Sequence, residues 1–166
     1  MNEGGLFGAF RTHERWIAEA MKEARLAGDK GEVPVGAIVV RDGQVIGRGH
    51  NQVESLRDPT AHAEILAIGA ASGNGESWRL EDSTLYVTLE PCTMCCGAVL
   101  LSRVGTVVFG ASDPRAGAVV STGRLLDGIP TTCGSKSSGA FPRLTAGPSC
   151  RVFFNPSGSD TQSGPC

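Results

Sequence analysis

Two short stretches hold residue types that could do chemistry together. Thr60-Ala61-His62-Ala63-Glu64 offers an imidazole and a carboxylate two positions apart, and Pro91-Cys92-Thr93-Met94-Cys95 offers two thiols three apart. One imidazole and two thiolates suit Zn2+, leaving it formally neutral with a fourth tetrahedral position open to water. Zinc brings the pKa of such a water from about 15.7 toward about 7. Glu64 is then a carboxylate placed to take that proton and hand it to a leaving amine. Singly, the pieces are weak: a helix-start His is commonly a polar cap, and C-x-x-C also reads as a redox pair or as two core cysteines. A closed structural site needs a fourth ligand. The nearest, Cys96, follows Cys95 directly and points about 100° round a helix, which marks it as core filler.

Spacing dictates where these groups must sit. In mid-helix His62 and Glu64 would point to nearly opposite faces, so they converge only at a first helical turn. Asp58-Pro59-Thr60 supplies a cap residue and a proline suited to such a start. Cys92 and Cys95 share a face, and Pro91 marks a second helix opening. Two helix N-termini aimed at one point favour thiolate through their dipoles.

The elements that must hold these starts follow from periodicity. Residues 1–11 read as a loose Gly-rich leader. Trp16, Ile17, Ala20, Met21, Ala24 and Ala27 recur at helical spacing over about Thr12 to Ala27, with Gly28 as the stop. Val35 to Val40 is a β-branched strand, Asp42-Gly43 suits a tight hairpin turn, and Gln44 to about Gly49 returns. A polar loop then leads into a helix expected from near Thr60 to Ala71. Thr84 to Leu89 is a third strand, the cysteine cassette opens a helix through Leu101, and Thr106 to Phe109 is a fourth strand. This order predicts an α/β fold of three layers, α/β/α, around a mixed sheet in which an antiparallel hairpin joins parallel strands. Residues 1–126 are expected to form the domain. From 127 to 166 more than half the residues are Gly, Ser, Pro or Thr, and only Val152-Phe153-Phe154 interrupts an irregular tail.

At 166 residues the chain is about one domain. Its net charge of −2 gives no support for a broad electrostatic grip on nucleic acid, though a local basic patch remains open. Six cysteines, three of them clustered at 92, 95 and 96, are unlike a disulfide framework and fit metal binding in a reducing compartment. The N-terminus lacks a basic region followed by an apolar run. These features read as a cytoplasmic protein, with no segment of membrane-spanning length.

The combination H-x-E with P-C-x-x-C resembles the signature of zinc-dependent nucleobase deaminases. The flanks narrow the resemblance. Glu32-Val33-Pro34-Val35-Gly36-Ala37, His50-Asn51, Asp58 to Ile65, Leu85 to Cys95 and Val107 to Ala111 look like the bacterial tRNA-specific adenosine deaminases. The match runs from about residue 14 to 126. It implies a cytidine-deaminase-like fold, a homodimer, and conversion of adenosine to inosine at the wobble position of a tRNA anticodon. Carried over residue by residue, it makes His62, Cys92 and Cys95 the zinc ligands and Glu64 the proton shuttle. It has Asn51 hydrogen-bonding the flipped base, Val33 and Pro34 packing on the purine, and Asp113 in a loop that contacts the RNA. By local sequence alone Asn51 and Asp113-Pro114 read equally well as turn residues.

The tail departs from the resemblance. The family continues with a helix carrying an aromatic pair and basic residues, whereas here Phe153-Phe154 precedes the helix-stopping Asn155-Pro156. A shifted reading frame beyond about Leu126 is one account, tested by comparing the gene's other frames with the family pattern. Two other functions stay open at this level. One is deamination of a free base or nucleoside such as guanine or cytosine. The other is a non-catalytic zinc module, against which an unligated Glu64 beside the metal argues.

Overall fold

A computed structural model describes the backbone of residues 4–75, 77–127 and 151–154, with side chains described between residues 13 and 127. In chain order the elements are α1 (Gly4–Asp29), β1 (Gly36–Arg41), β2 (Gln44–His50), α2 (Val53–Leu56), α3 (Ala63–Gly73), β3 (Thr84–Leu89), α4 (Thr93–Leu101), β4 (Thr106–Ala111) and β5 (Arg151–Phe154). They build a sheet ordered β2-β1-β3-β4-β5. β1 pairs antiparallel with β2 and with β3, while β3–β4 and β4–β5 are parallel.

The central strands are apolar at consecutive positions because both of their faces are covered. Ala37 and Val39 of β1, Leu85 and Val87 of β3, and Val107 and Phe109 of β4 enter a core shared with Ala67 of α3 and Val99 of α4. The alternate residues Ile38, Val40, Tyr86 and Val108 enter a second core with Trp16 and Ala20 of α1. Period-two alternation thus sends each strand's residues to two helical layers, and the expected α/β/α arrangement is the one observed.

Several boundaries differ from the sequence reading, each for a physical reason. α1 begins at Gly4, inside the stretch read as a leader, because a nucleated helix propagates at low cost even through weak formers. It ends past Gly28, and Gly31 takes the left-handed conformation at φ 77° instead. α2 forms where a loop was expected, and α3 starts at Ala63, three residues after Thr60. The apolar patch in the tail lies in β5, paired in parallel with β4. The tail's other residues beyond Asp127 fall outside the described residues.

Two features place the site. Asp42 and Gly43 take positive φ angles of 51° and 71°, which closes the β1–β2 hairpin as expected. Gly47 and Gly49 of β2 face α3, where a Cβ at either would collide with the carbonyl of Ala67 or Ala63. The helix backbone therefore lies directly on the sheet, which fixes its first turn.

Candidate active site

His62 and Cys92 are the N-cap residues of α3 and α4, both with extended backbone (ψ 152° and 176°). Their carbonyls accept the first helical bonds, from Leu66 N–H at 3.1 Å and Cys96 N–H at 2.9 Å. Asp58 is not the cap: its carboxylate instead closes a turn, accepting from the amide and hydroxyl of Thr60 at 2.8 and 2.7 Å. Neither ligand side chain caps its own helix, and the two meet off the helix ends. His62 Nδ1 lies 3.7 Å from Cys92 Sγ and 3.6 Å from Cys95 Sγ. All three donor atoms fall within 4.8 Å of one another.

Electrostatics at this point are strongly perturbed. A hydrogen bond from the Cys95 thiol, then one from His62, lowers the Cys92 pKa to about 4 against the opposing effect of burial. Cys95 is pushed up because it donates to Cys92, is buried, and faces the Glu64 carboxyl. His62 is raised, chiefly by its bond to Cys92. Glu64, only 4% exposed, is raised by desolvation, partly offset by its own amide and by His62. A carboxyl beside the donor atoms and shielded from solvent is placed for general acid/base work.

His62, Glu64 and Cys92 border a cavity of about 310 Å3. Val33, Asn51, Glu64 and Asp113 all line it, together with His62 and Cys92. Pro34 is not among the lining residues. It sits at the centre of a tight turn before β1, closed by the Val35 amide on the Val33 carbonyl at 2.7 Å, and its Cβ lies 3.7 Å from the position a Cβ would take on Gly28 near the end of α1. Asp113 serves its own turn as well, accepting from the amides of Arg115 and Ala116 at 2.9 and 3.3 Å.

The family description for the cytidine and deoxycytidylate deaminase zinc-binding region matches residues 10–111. The chain belongs to that family. Among its relatives, the tRNA-specific adenosine deaminase of Aquifex aeolicus is 52% identical over 114 residues, covering 69% of this chain and 76% of that protein. The chloroplastic tRNA(adenine(34)) deaminase of Arabidopsis thaliana is 55% identical over 115 residues, which span 69% of this chain and only 9% of that protein. A solved structure from studies of A-to-I editing by tRNA:A34 deaminases at the wobble position of transfer RNA superposes with a TM-score of 0.69 at 39% identity. That alignment covers 86% of this chain and 98% of the other.

The donor set of this deaminase-family chain fits the metal that its family name implies. Tetrahedral zinc with bonds of about 2.0 Å to nitrogen and about 2.3 Å to sulfur requires nitrogen–sulfur edges of about 3.6 Å. The two measured edges, 3.7 and 3.6 Å, match. A dication bound by both sulfurs ionises both thiols outright, which reverses the upward push on Cys95.

Sequence reasoning missed two buried carboxylates beside the cavity. Glu32, 5% exposed, accepts from Asn51 Nδ2 at 3.3 Å and from the amides of Glu54 and Ser55 at the start of α2. The Ser55 hydroxyl bond, then the amides, hold its pKa below the usual carboxylate range against burial. Glu90 is the second. Burial alone would raise it, yet bonds from the Ser121 hydroxyl and the amides of Val120, Ser121 and Asp113 outweigh that and lower it. Their donors lie roughly twenty to thirty residues away in sequence, so no local pattern could have exposed either.

Proposed function

We propose that the protein hydrolyses adenosine to inosine at the wobble position of a tRNA anticodon, in the cytoplasm and as a homodimer. The observation that carries this reading is the trio His62, Cys92 and Cys95 at zinc-ligand spacing with the buried Glu64 beside it, and His62, Glu64 and Cys92 lining a cavity of nucleobase scale. The relatives with the same cassettes, named for deamination of adenosine in tRNA, support the choice of substrate. The cytoplasmic assignment is supported by the free thiols of Cys92, Cys95 and Cys96. No helix among the described residues is long and apolar enough to cross a membrane.

Deamination joins a water oxygen to purine C6 and releases the 6-amino group as ammonia. His62 Nδ1 and the two sulfurs would hold zinc, which when bound would supply the Lewis acidity that makes water nucleophilic near neutral pH. Glu64 takes the proton lost by the attacking oxygen, delivers it to the purine ring nitrogen, and on a second pass protonates the departing amine. Asn51 hydrogen-bonds the base, and Val33 packs against its face. The cavity's size admits one base, so the adenosine leaves its stack to enter.

The test is to incubate zinc-loaded protein with an anticodon stem-loop carrying adenosine at the wobble position, and separately with guanine, cytosine and cytidine. Inosine in the RNA, with the free compounds unchanged, is the expected result. Ammonia from a free compound instead would assign a base or nucleoside deaminase, and bound zinc without turnover would leave a binding module.

A further inference from the structure

Glu90 joins the end of β3 to the cysteine cassette and is 3% exposed. Its Oε1 accepts the amides of Val119, Val120 and Ser121 at 3.1, 2.7 and 2.9 Å. Its Oε2 accepts the amide of Asp113 at 3.0 Å and the hydroxyl of Ser121. All five donors belong to the segment 113–121 that follows β4. The same segment is tied to the cassette itself. Ala118 N–H donates to the Pro91 carbonyl at 2.9 Å, and Gly117 bridges Cys92 in antiparallel fashion. Gly117 is the close-approach point: an added Cβ there would collide with the Glu90 carboxylate and the Asp113 carbonyl.

Five donors converging on two oxygens fill the acceptor capacity of a carboxylate and leave no lone pair aimed into the cavity for proton transfer. Glu90 therefore differs in kind from Glu64, although both are buried and both line the cavity. We propose that Glu90 is a positioning residue that locks the cavity wall bearing Asp113 and Ala116 to the backbone of the metal ligand Cys92. Wall and ligand then move as one unit. An acceptor-only group is required, because a side-chain amide in its place would turn an NH2 toward donors that need an acceptor.

The variant Glu90→Gln, prepared with zinc bound, tests this. Amide hydrogen exchange at Asp113 and at 119–121 should accelerate by about tenfold or more, with Leu66 in α3 unchanged, and zinc should pass to a chelator faster by a similar factor. With the RNA stem-loop, KM should rise about tenfold while kcat stays within about threefold, because Glu64 and His62 sit on a different helix. Unchanged exchange and zinc release, or a fall in kcat at constant KM, would overturn the proposal. Should that variant not fold, Ser121→Ala removes one of the five bonds and should shift exchange and zinc release in the same directions by about threefold. No shift in that variant would also overturn it. Only the kinetic readout rests on the substrate reading above. If the parent protein turns over no RNA, that reading fails while exchange and zinc release still judge Glu90.

Discussion

Three buried carboxylates surround one cavity, and the company each keeps separates their roles. Glu32 and Glu90 are engaged by backbone amides and hydroxyls, which stabilise charge and fix chain. Glu64 is governed chiefly by desolvation, and its neighbours are the metal-ligand side chains. Replacing Glu64 with Gln is expected to lower turnover by ~10²–10⁴-fold, the range of a positioned acid/base. Zinc content measured on the same sample should remain at one per chain, since Glu64 is not part of the donor trio. Cys92→Ser should instead lose the metal and turnover together, because it removes one of the two sulfur donors. Chelating zinc from the parent should abolish turnover and adding zinc should restore it. The donor trio was legible in the sequence because imidazole and thiols are rare and their spacing has few meanings. Glu32 and Glu90 were not, since a lone Glu before a Val or a Pro has many.

Among the elements, the legible ones were those with a sustained period: the body of α1, the hairpin with its Asp-Gly turn, and the strand–helix–strand run around Cys92. α2 escaped because four residues cannot nucleate a helix alone, and Glu32 supplies the tertiary bonds that hold it. The start of α3 was misplaced by three residues because Asp58 closes a turn where a cap was expected. How closely α3 approaches the sheet was also hidden, since a glycine in a strand pattern signals close contact without naming the partner. Gly49→Ala tests that contact. The new methyl would meet the Ala63 carbonyl, one residue from Glu64, and must push the first turn of α3 off β2. Overpacking of this kind costs about 1–3 kcal/mol. We expect a lower urea midpoint by that measure together with a loss of turnover larger than a surface substitution produces. An unchanged midpoint would show that α3 gives way freely.

On the scale of the whole molecule, the metal layer of α3 and α4 lies on one face of the sheet and α1 on the other. The α1 layer is keyed by a polar contact inside an apolar setting. His13 Nδ1 and the Tyr86 hydroxyl are 2.8 Å apart, with the ring of Trp16 6.3 Å from that of Tyr86. Burial lowers the pKa of His13, and burial also raises that of Tyr86, so both groups are held neutral in the folded state. The sign of the pH effect follows. Above about pH 6.5, the ordinary value for an unfolded histidine, both states carry neutral His13 and its docking is undisturbed. As pH falls below that, the unfolded chain binds a proton that the folded chain resists, so stability drops until the folded pKa is passed. Metal ligands protonate in acid too, which makes a single melting curve ambiguous. The comparison that isolates α1 is the parent against His13→Gln, both loaded with zinc, by urea denaturation at pH 7.5 and at pH 5.5. The parent should lose more stability on acidification than the variant, because only the parent carries the half-buried imidazole while both share the metal site. Equal losses would place the acid sensitivity entirely in the other layer.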